Sequence, residues 1–183
     1  TFPARKIDIK VNHWWAVSGE YKRDALTLAA EYTEYKIKLD YNIETPAALQ
    51  ALGLEIPSGI TPMGYYGSLA YRFTDWLELG TYYSVFYIDK HDKQGDDTVA
   101  YATTVAQAFG RPVAAVDHQA WQKDICLTAR FDINPAWCVK LEGHHMHGTA
   151  LVFDYAGVDD LAKGWPLYAV KTSFTFYRTA CPE

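Results

Sequence analysis

Three histidines close together, His144, His145 and His147, are the residues whose type and spacing most directly suggest chemistry, because imidazole is a common metal ligand. On an extended strand His144 points away from the face that carries His145 and His147, so at most two of the rings converge. The plainer reading is a strand end in a headgroup zone. Cys126, Cys138 and Cys181 have neither CxxC spacing nor an even count, so they define no zinc site or disulfide framework. Cys126 and Cys138 fall on one side of a single hairpin whose centre reads near residues 133 and 134. That register sets Cys126 nearest Lys140 or Leu141 and Cys138 nearest Thr128 or Ala129, making the cysteines diagonal neighbours rather than partners in a bond that needs Cα atoms within about 7 Å. Of the carboxylates Asp24, Asp75, Glu78, Asp124, Glu142 and Asp154, no two have a spacing that defines a glycosidase site. Ser18-Gly19 and Ser58-Gly59 lack the GxSxG elbow. No catalytic residue, metal ligand set or cofactor is assigned, and an enzyme is set aside.

The elements that carry these residues are strands. Helical periodicity is nearly absent, whereas alternation of apolar and polar residues recurs in long runs bounded by Gly, Pro, Asn or Asp. Seven strands are expected, at about 5–21, 25–40, 63–73, 76–89, 120–132, 136–150 and 165–177. The breaks Lys22-Arg23-Asp24, Thr74-Asp75 and Ile133-Asn134-Pro135 are short enough for tight hairpins, while the chain makes long excursions near 41–62, 90–119 and 151–164. Short and long connections alternate strictly, the asymmetry of a membrane-spanning barrel with short periplasmic turns and longer extracellular loops. Within the longest excursion, Asp97 to Phe109 has a helix-compatible composition. Such a loop is expected either to fold inward and narrow a pore or to form a surface helix or loop tip.

Composition bounds the partners. The chain is 49% hydrophobic and 15% aromatic, with fourteen Tyr, six Trp and eight Phe, and aromatic residues favour membrane interfaces. A net charge of -5 supplies no basic stripe for displacing counterions from phosphates, which excludes nucleic acid. No run reaches the eighteen apolar residues of a transmembrane helix, and Thr1 to Lys10 lack a signal-peptide pattern.

Alternation also assigns faces. Leu77, Leu79, Thr81, Tyr83, Val85 and Tyr87 oppose Glu78, Gly80, Tyr82, Ser84 and Phe86. Ile125, Leu127, Ala129 and Phe131 oppose Asp124, Cys126, Thr128 and Arg130, and Trp137, Val139 and Leu141 oppose Cys138, Lys140, Glu142 and His144. The apolar face is bracketed by aromatics near the turns (Phe73, Trp76, Phe131, Trp137) and toward the far ends (Tyr83, Tyr87), the girdle pattern of a barrel in lipid. The other face carries charges well inside the strands, as a wet lumen permits. Seven strands that begin on the outer side cannot make a barrel of even strand number, so at least one further strand is expected before Thr1.

The segments Leu69 to Asp89 (LAYRFTDWLELGTYYSVFYID), Asp124 to Ala150 (DICLTARFDINPAWCVKLEGHHMHGTA), Trp165 to Phe176 (WPLYAVKTSFTF) and Leu26 to Tyr35 (LTLAAEYTEY) resemble the C-terminal third of Gram-negative outer-membrane porin-like proteins related to phosphate-selective porins. The resemblance covers more than half of the chain, and "YRFTDWLELG" and "ARFDINPAWCVKLEGH" are its most specific motifs. It implies an all-β fold, an antiparallel transmembrane β-barrel of about sixteen strands, of which residues 1–183 form the C-terminal part of one domain. It further implies a bacterial outer-membrane location, contact with outer-membrane lipid, frequent homotrimers, and passive diffusion of small hydrophilic solutes or ions, with basic lumen residues favouring anions. The positions carried over as pore-lining are Arg72, Arg130, Lys140 and Lys171, opposed by Glu78 and Glu142. The family's arginine ladder lies mostly in parts that this chain does not match, so a general diffusion pore is expected rather than phosphate selectivity. Such chains commonly end on an aromatic, and here Phe176 holds that place with Tyr177 to Glu183 following it.

Two other classes share the same alternation. A soluble lipocalin-like barrel binding a small ligand would have the apolar face inside and Glu78, Lys140 and Lys171 outside. A structural barrel sheathing a partner protein would have its lumen filled by another chain.

Overall fold

The alternating runs form strands. In the computed structural model, which describes residues 7–41, 47–51, 53, 58–108, 110, 116–151 and 162–176, one antiparallel sheet holds β1 (Ile7–Arg23), β2 (Leu26–Tyr41), β3 (Gly59–Ile60), β4 (Met63–Thr74), β5 (Leu77–Tyr87), β6 (Trp121–Asn134), β7 (Trp137–Gly148) and β8 (Gly164–Phe174). Seven strands lie in the order β1-β2-β4-β5-β6-β7-β8, each beside its neighbour in sequence, and the two-residue β3 pairs with β2 beyond the end of β4. The chain is therefore all-β in architecture. Among the described residues β1 and β8 are free edges.

The tight hairpins fall later than the sequence suggests. Their turns are Asp24-Ala25, Asp75-Trp76 and Pro135-Ala136. In the second and third hairpins an irregularity in the ladder, between Arg72 and Thr74 and between Asp132 and Asn134, carries the strand one residue further before it reverses. Side chains then close the reversal: the Leu77 amide donates to Thr74 Oγ1 at 3.0 Å and the Ala136 amide to Asn134 Oδ1 at 2.9 Å. In the first hairpin Asp24 takes a left-handed conformation (φ 52°), which Asp tolerates better than most residues.

A repeated contact joins the hairpins at this end. The carbonyls of Ala25, Trp76 and Ala136, the second residue of each turn, accept from the amides of Arg72 on β4, Asp132 on β6 and Thr175 just past the end of β8, at 2.9, 2.9 and 2.8 Å.

The long connections gather at the opposite end. Two of them carry helices: α1 (Ala47–Gln50) between β2 and β3, and α2 (Asp96–Ala108) between β5 and β6. The second lies within one residue of the stretch whose composition suggested it. Asp92 holds its start: Oδ2 accepts from the Thr98 amide (2.8 Å) and hydroxyl (2.7 Å), and Oδ1 from the Asp97 amide (3.3 Å). Burial alone would raise the Asp92 carboxyl, but these donors outweigh it and hold the group below its ordinary range. A single 3-10 turn, Asp117–Gln119, returns the chain to β6.

Among the described residues neither α1 nor α2 rests on the strands, and of the elements outside the sheet only the 3-10 turn touches β6 and β7, near their loop ends. Among the described residues the sheet is thus one layer, and the difference in exposure between its faces is that of a curved sheet. At mid-strand in β6, Asp124 is 7% and Cys126 0% exposed, while Ile125 and Leu127 between and beyond them are 50% and 68% exposed. Side chains crowd on a concave face and splay on a convex one, so the polar face is the concave side and the apolar face the convex side.

Candidate functional site

Side chains on one face of paired strands align in rows across the sheet. One such row reads Arg72 on β4, Glu78 on β5, Arg130 on β6, Lys140 on β7 and Lys171 on β8, each directly opposite the next. Five of the six residues carried over as pore-lining are therefore consecutive neighbours on the concave face. The sixth, Glu142, lies in the adjoining row between Thr128 and Ala169.

Ion pairs run along the row. Arg72 Nη2 lies 3.0 Å from Glu78 Oε2, and its Nη1 donates to Asp132 Oδ2 at 2.7 Å and to the Asp75 carbonyl at 3.2 Å. Arg130 reaches the other oxygen of Asp132 through Nε and Nη2, both at 2.9 Å. Lys140 pairs with Glu142 at 2.8 Å. Lys171 forms no ion pair among the described residues and is exposed. Four basic groups against three acidic ones leave one positive charge in excess. Asp132 is the residue that sequence reasoning misses, because a turn placed at Ile133 puts Asp132 at the strand's end; the observed turn leaves it inside the ladder, opposite Cys138.

Beside the charged row lies one of small side chains, Thr27, Ala70, Gly80 and Thr128. A Cβ at Gly80 would come within 2.9 Å of Thr128 Oγ1 and 3.1 Å of the Leu69 carbonyl, so only glycine leaves this trough open without displacement. A depression of about 440 Å³ lies over it, bordered by Glu78, Tyr82 and Lys140.

The next row contains Ser68, Tyr82, Cys126 and His144. The hairpin register expected from sequence is corrected here: Cys126 is opposite His144 rather than Lys140 or Leu141, and Cys138 is opposite Asp132 rather than Thr128 or Ala129. The later turn shifts the whole pairing. The two cysteines are free and lie six positions apart along the hairpin, about 20 Å at strand rise, so they are not diagonal neighbours.

This register builds a polar cluster that sequence reasoning does not assemble. His144 Nδ1 lies 3.0 Å from Asp124 Oδ2, and the Tyr82 hydroxyl donates to the same oxygen at 2.8 Å while standing 3.2 Å from His144 Nδ1. Cys126 Sγ is 3.7 Å from His144 Nε2. Thiol, imidazole and carboxylate in sequence is the order of an activated nucleophile, but the thiol is wholly covered, which denies a substrate approach. The cluster instead ties β5, β6 and β7 together through their concave faces. Among the described residues no three His, Cys, Asp or Glu side chains are placed to hold a metal ion. As alternation requires, His145 and His147 lie on the other face.

The convex face is apolar and open. Leu69, Leu79, Ile125, Leu127, Leu141 and Val170 run across its middle, all exposed. Toward the short turns, Tyr71 meets Phe73 (4.8 Å between ring centroids), Trp76 stacks on Phe131 (6.3 Å) and Trp137 on Phe174 (5.4 Å). Toward the long connections lie Trp15 on Tyr32 (5.0 Å), Tyr65, Tyr83 and Trp121. The aromatics thus concentrate at two levels with a mainly aliphatic band between them, which Tyr168, opposite Gly143, also enters.

Apart from Arg23 beside the first short turn, the charges of this face among the described residues lie near the loop end. Glu34 accepts from Lys90 Nζ at 2.7 Å and from the Tyr32 hydroxyl at 2.9 Å. Lys163 pairs with Asp117 at 3.0 Å and joins two long connections. That bond is the chief reason the Asp117 carboxyl lies below its ordinary range, with burial opposing and His118 assisting.

Comparisons of the chain with protein-family models, with curated proteins and with solved structures find no match.

Proposed function

We propose that this chain is the C-terminal part of an outer-membrane β-barrel of the porin type, lining a water-filled pore for passive diffusion of small hydrophilic solutes. The observation that carries the reading is the orientation of the two faces: charged side chains line the sheltered concave side and bare aliphatic ones the convex side. A soluble ligand-binding barrel requires the reverse, since its concave face encloses an apolar cavity and its convex face meets water. Dimensions support the same reading. Trp121 and Phe131 mark the two aromatic levels on β6; ten residues at about 3.3 Å each, tilted about 40°, rise about 25 Å, the height of the apolar band of an outer-membrane barrel.

In this proposal Arg72, Glu78, Arg130, Lys140, Glu142 and Lys171 face the lumen, joined by Asp132. Their near-balanced charge favours a general diffusion pore with a mild preference for anions over a steep anion filter. The convex face contacts outer-membrane lipid, the free edges of β1 and β8 pair with further strands, and a homotrimer is the expected assembly. The test is reconstitution of the purified protein in a planar bilayer. Stepwise single-channel conductance is the expected outcome. A protein that stays monodisperse without detergent and gives no conductance would refute the reading, and membrane residence without conductance would point to a lumen filled by a partner chain.

A further inference from the structure

The polar groups of the convex face are not scattered. Around the ring of Trp121, at the loop end of β6, stand three basic side chains from three parts of the chain. Lys123 Nζ is 5.0 Å from the ring centroid, Lys163 Nζ is 5.3 Å from it, and the His147 ring meets it edge-on at 5.0 Å. Lys123 and His147 are direct cross-strand partners, and His145 lies two residues further along the same face, opposite Ile125. The indole itself is buried, 6% exposed, beneath these groups. Its seat requires Gly148, whose φ is 90° and whose missing side chain would collide with the Trp121 backbone and ring.

Among the described residues, charge here is poorly compensated. Among the described residues Asp117 is the one carboxylate paired into the cluster, through Lys163, and it also bonds His118. Lys123 has no acidic partner among the described residues. Two ammonium groups held beside one indole repel each other, and an anion between or above them would relieve that repulsion beyond what Asp117 does for Lys163. A phosphomonoester meets that need, because it carries close to two negative charges and several strong acceptor oxygens.

From this we infer that Lys123, Lys163 and His147 around Trp121 form a binding site for the phosphomonoester headgroup of a membrane lipid in the leaflet on the loop side. The inference rests on the membrane reading above, which puts the upper aromatic level at the headgroup zone, where Trp rings settle and lysines extend along apolar surface to reach charge. An occupant from that leaflet is favoured over a soluble one because the cluster is on the convex face, continuous with the aliphatic band, where acyl chains would lie below the phosphate.

The test uses the full-length protein in detergent, titrated with phosphatidic acid, with phosphatidylcholine and, separately, with inorganic phosphate, reading bound lipid by native mass spectrometry. Phosphatidic acid should be retained in preference to phosphatidylcholine, and Lys123→Gln with Lys163→Gln should weaken its retention by about tenfold or more. His147→Gln should weaken it less, and Lys22→Gln at the other end of the sheet should not change it. Equal retention by the double variant, or equal retention of the two lipids, would overturn the site. Binding of inorganic phosphate without lipid would overturn the lipid assignment. Failure of the membrane reading shows itself separately, as a protein that remains soluble once detergent is removed.

Discussion

Replacing Asp132 by Asn removes the carboxylate that bridges Arg72 and Arg130 and changes little else in shape, so it isolates the electrostatics of the charged row. The concave row then carries four basic groups against two acidic ones instead of three. A unit charge acting on a permeating ion about 6 Å away contributes about 0.7 kcal/mol at the dielectric constant of water, and screening at about 0.1 M salt reduces this to about 0.4 kcal/mol. Anions become about twofold enriched at the row and cations about twofold depleted, so the anion-to-cation permeability ratio should rise about fourfold. At about 1 M salt, where the Debye length is about 3 Å, the same change should shrink to about 1.4-fold. Lys171→Gln removes the cation that has no ion pair among the described residues and should move the ratio by a comparable factor in the opposite direction. The assay is the reversal potential across a bilayer under a modest KCl gradient at each ionic strength. A ratio that does not change at low salt in either variant, with normal insertion and conductance, would refute the assignment of this row to the lumen.

Leu127→Arg places a charge at mid-height on the convex face and should destabilise the protein in lipid by about 2–4 kcal/mol, measured by equilibrium unfolding in vesicles; an effect below about 0.5 kcal/mol would mean that this face does not contact lipid. Because the folded state holds Asp117 below its ordinary range, its bond to Lys163 stabilises the loops fully above about pH 4 and loses that contribution as pH falls through the depressed value. Hydrogen exchange at the Thr149 amide, which donates to the His118 carbonyl, should accordingly stay protected at neutral pH and become less protected in acid beyond the intrinsic pH effect, and Asp117→Asn should show the acid behaviour at neutral pH. In a Cys181→Ser background, a small thiol reagent should label Cys138 at least on the order of 100-fold faster than the fully covered Cys126; equal rates would show that the His144 cluster opens readily.

The strands and their faces are legible in the sequence because both depend only on period-2 alternation, which survives an error of a residue or two at a strand's end. Register does not survive it. Ile133-Asn134-Pro135 looks like a break because it joins an Asn to a Pro, yet Ile133 is absorbed as an irregularity in the ladder and the chain reverses at Pro135-Ala136. That displacement is why Arg130 and Lys140 can be placed from sequence on the polar face while their direct pairing cannot, and why Asp132 goes unnoticed. The Tyr82, Asp124, Cys126 and His144 cluster is hidden for the same reason: each member is visible as a concave-face residue, but only the pairing of Cys126 with His144 brings them together. Trp121 is harder still, since Lys163 reaches it from a connection that carries no periodic signal at all.

The turn carbonyls that bond the following strand have a consequence for how such a chain can vary. Two of the amides they hold at the short-turn rim belong to Arg72 and Asp132, whose side chains meet across β5 in the charged network. One residue is thus fastened to the rim by its backbone while its side chain reaches inward, so the distance from rim to network is a fixed measure set by local geometry. The long connections at the far end take no part in that measure. They can lengthen, shorten or change sequence while the charged network keeps its depth, so the two ends of the sheet are free to vary independently of each other.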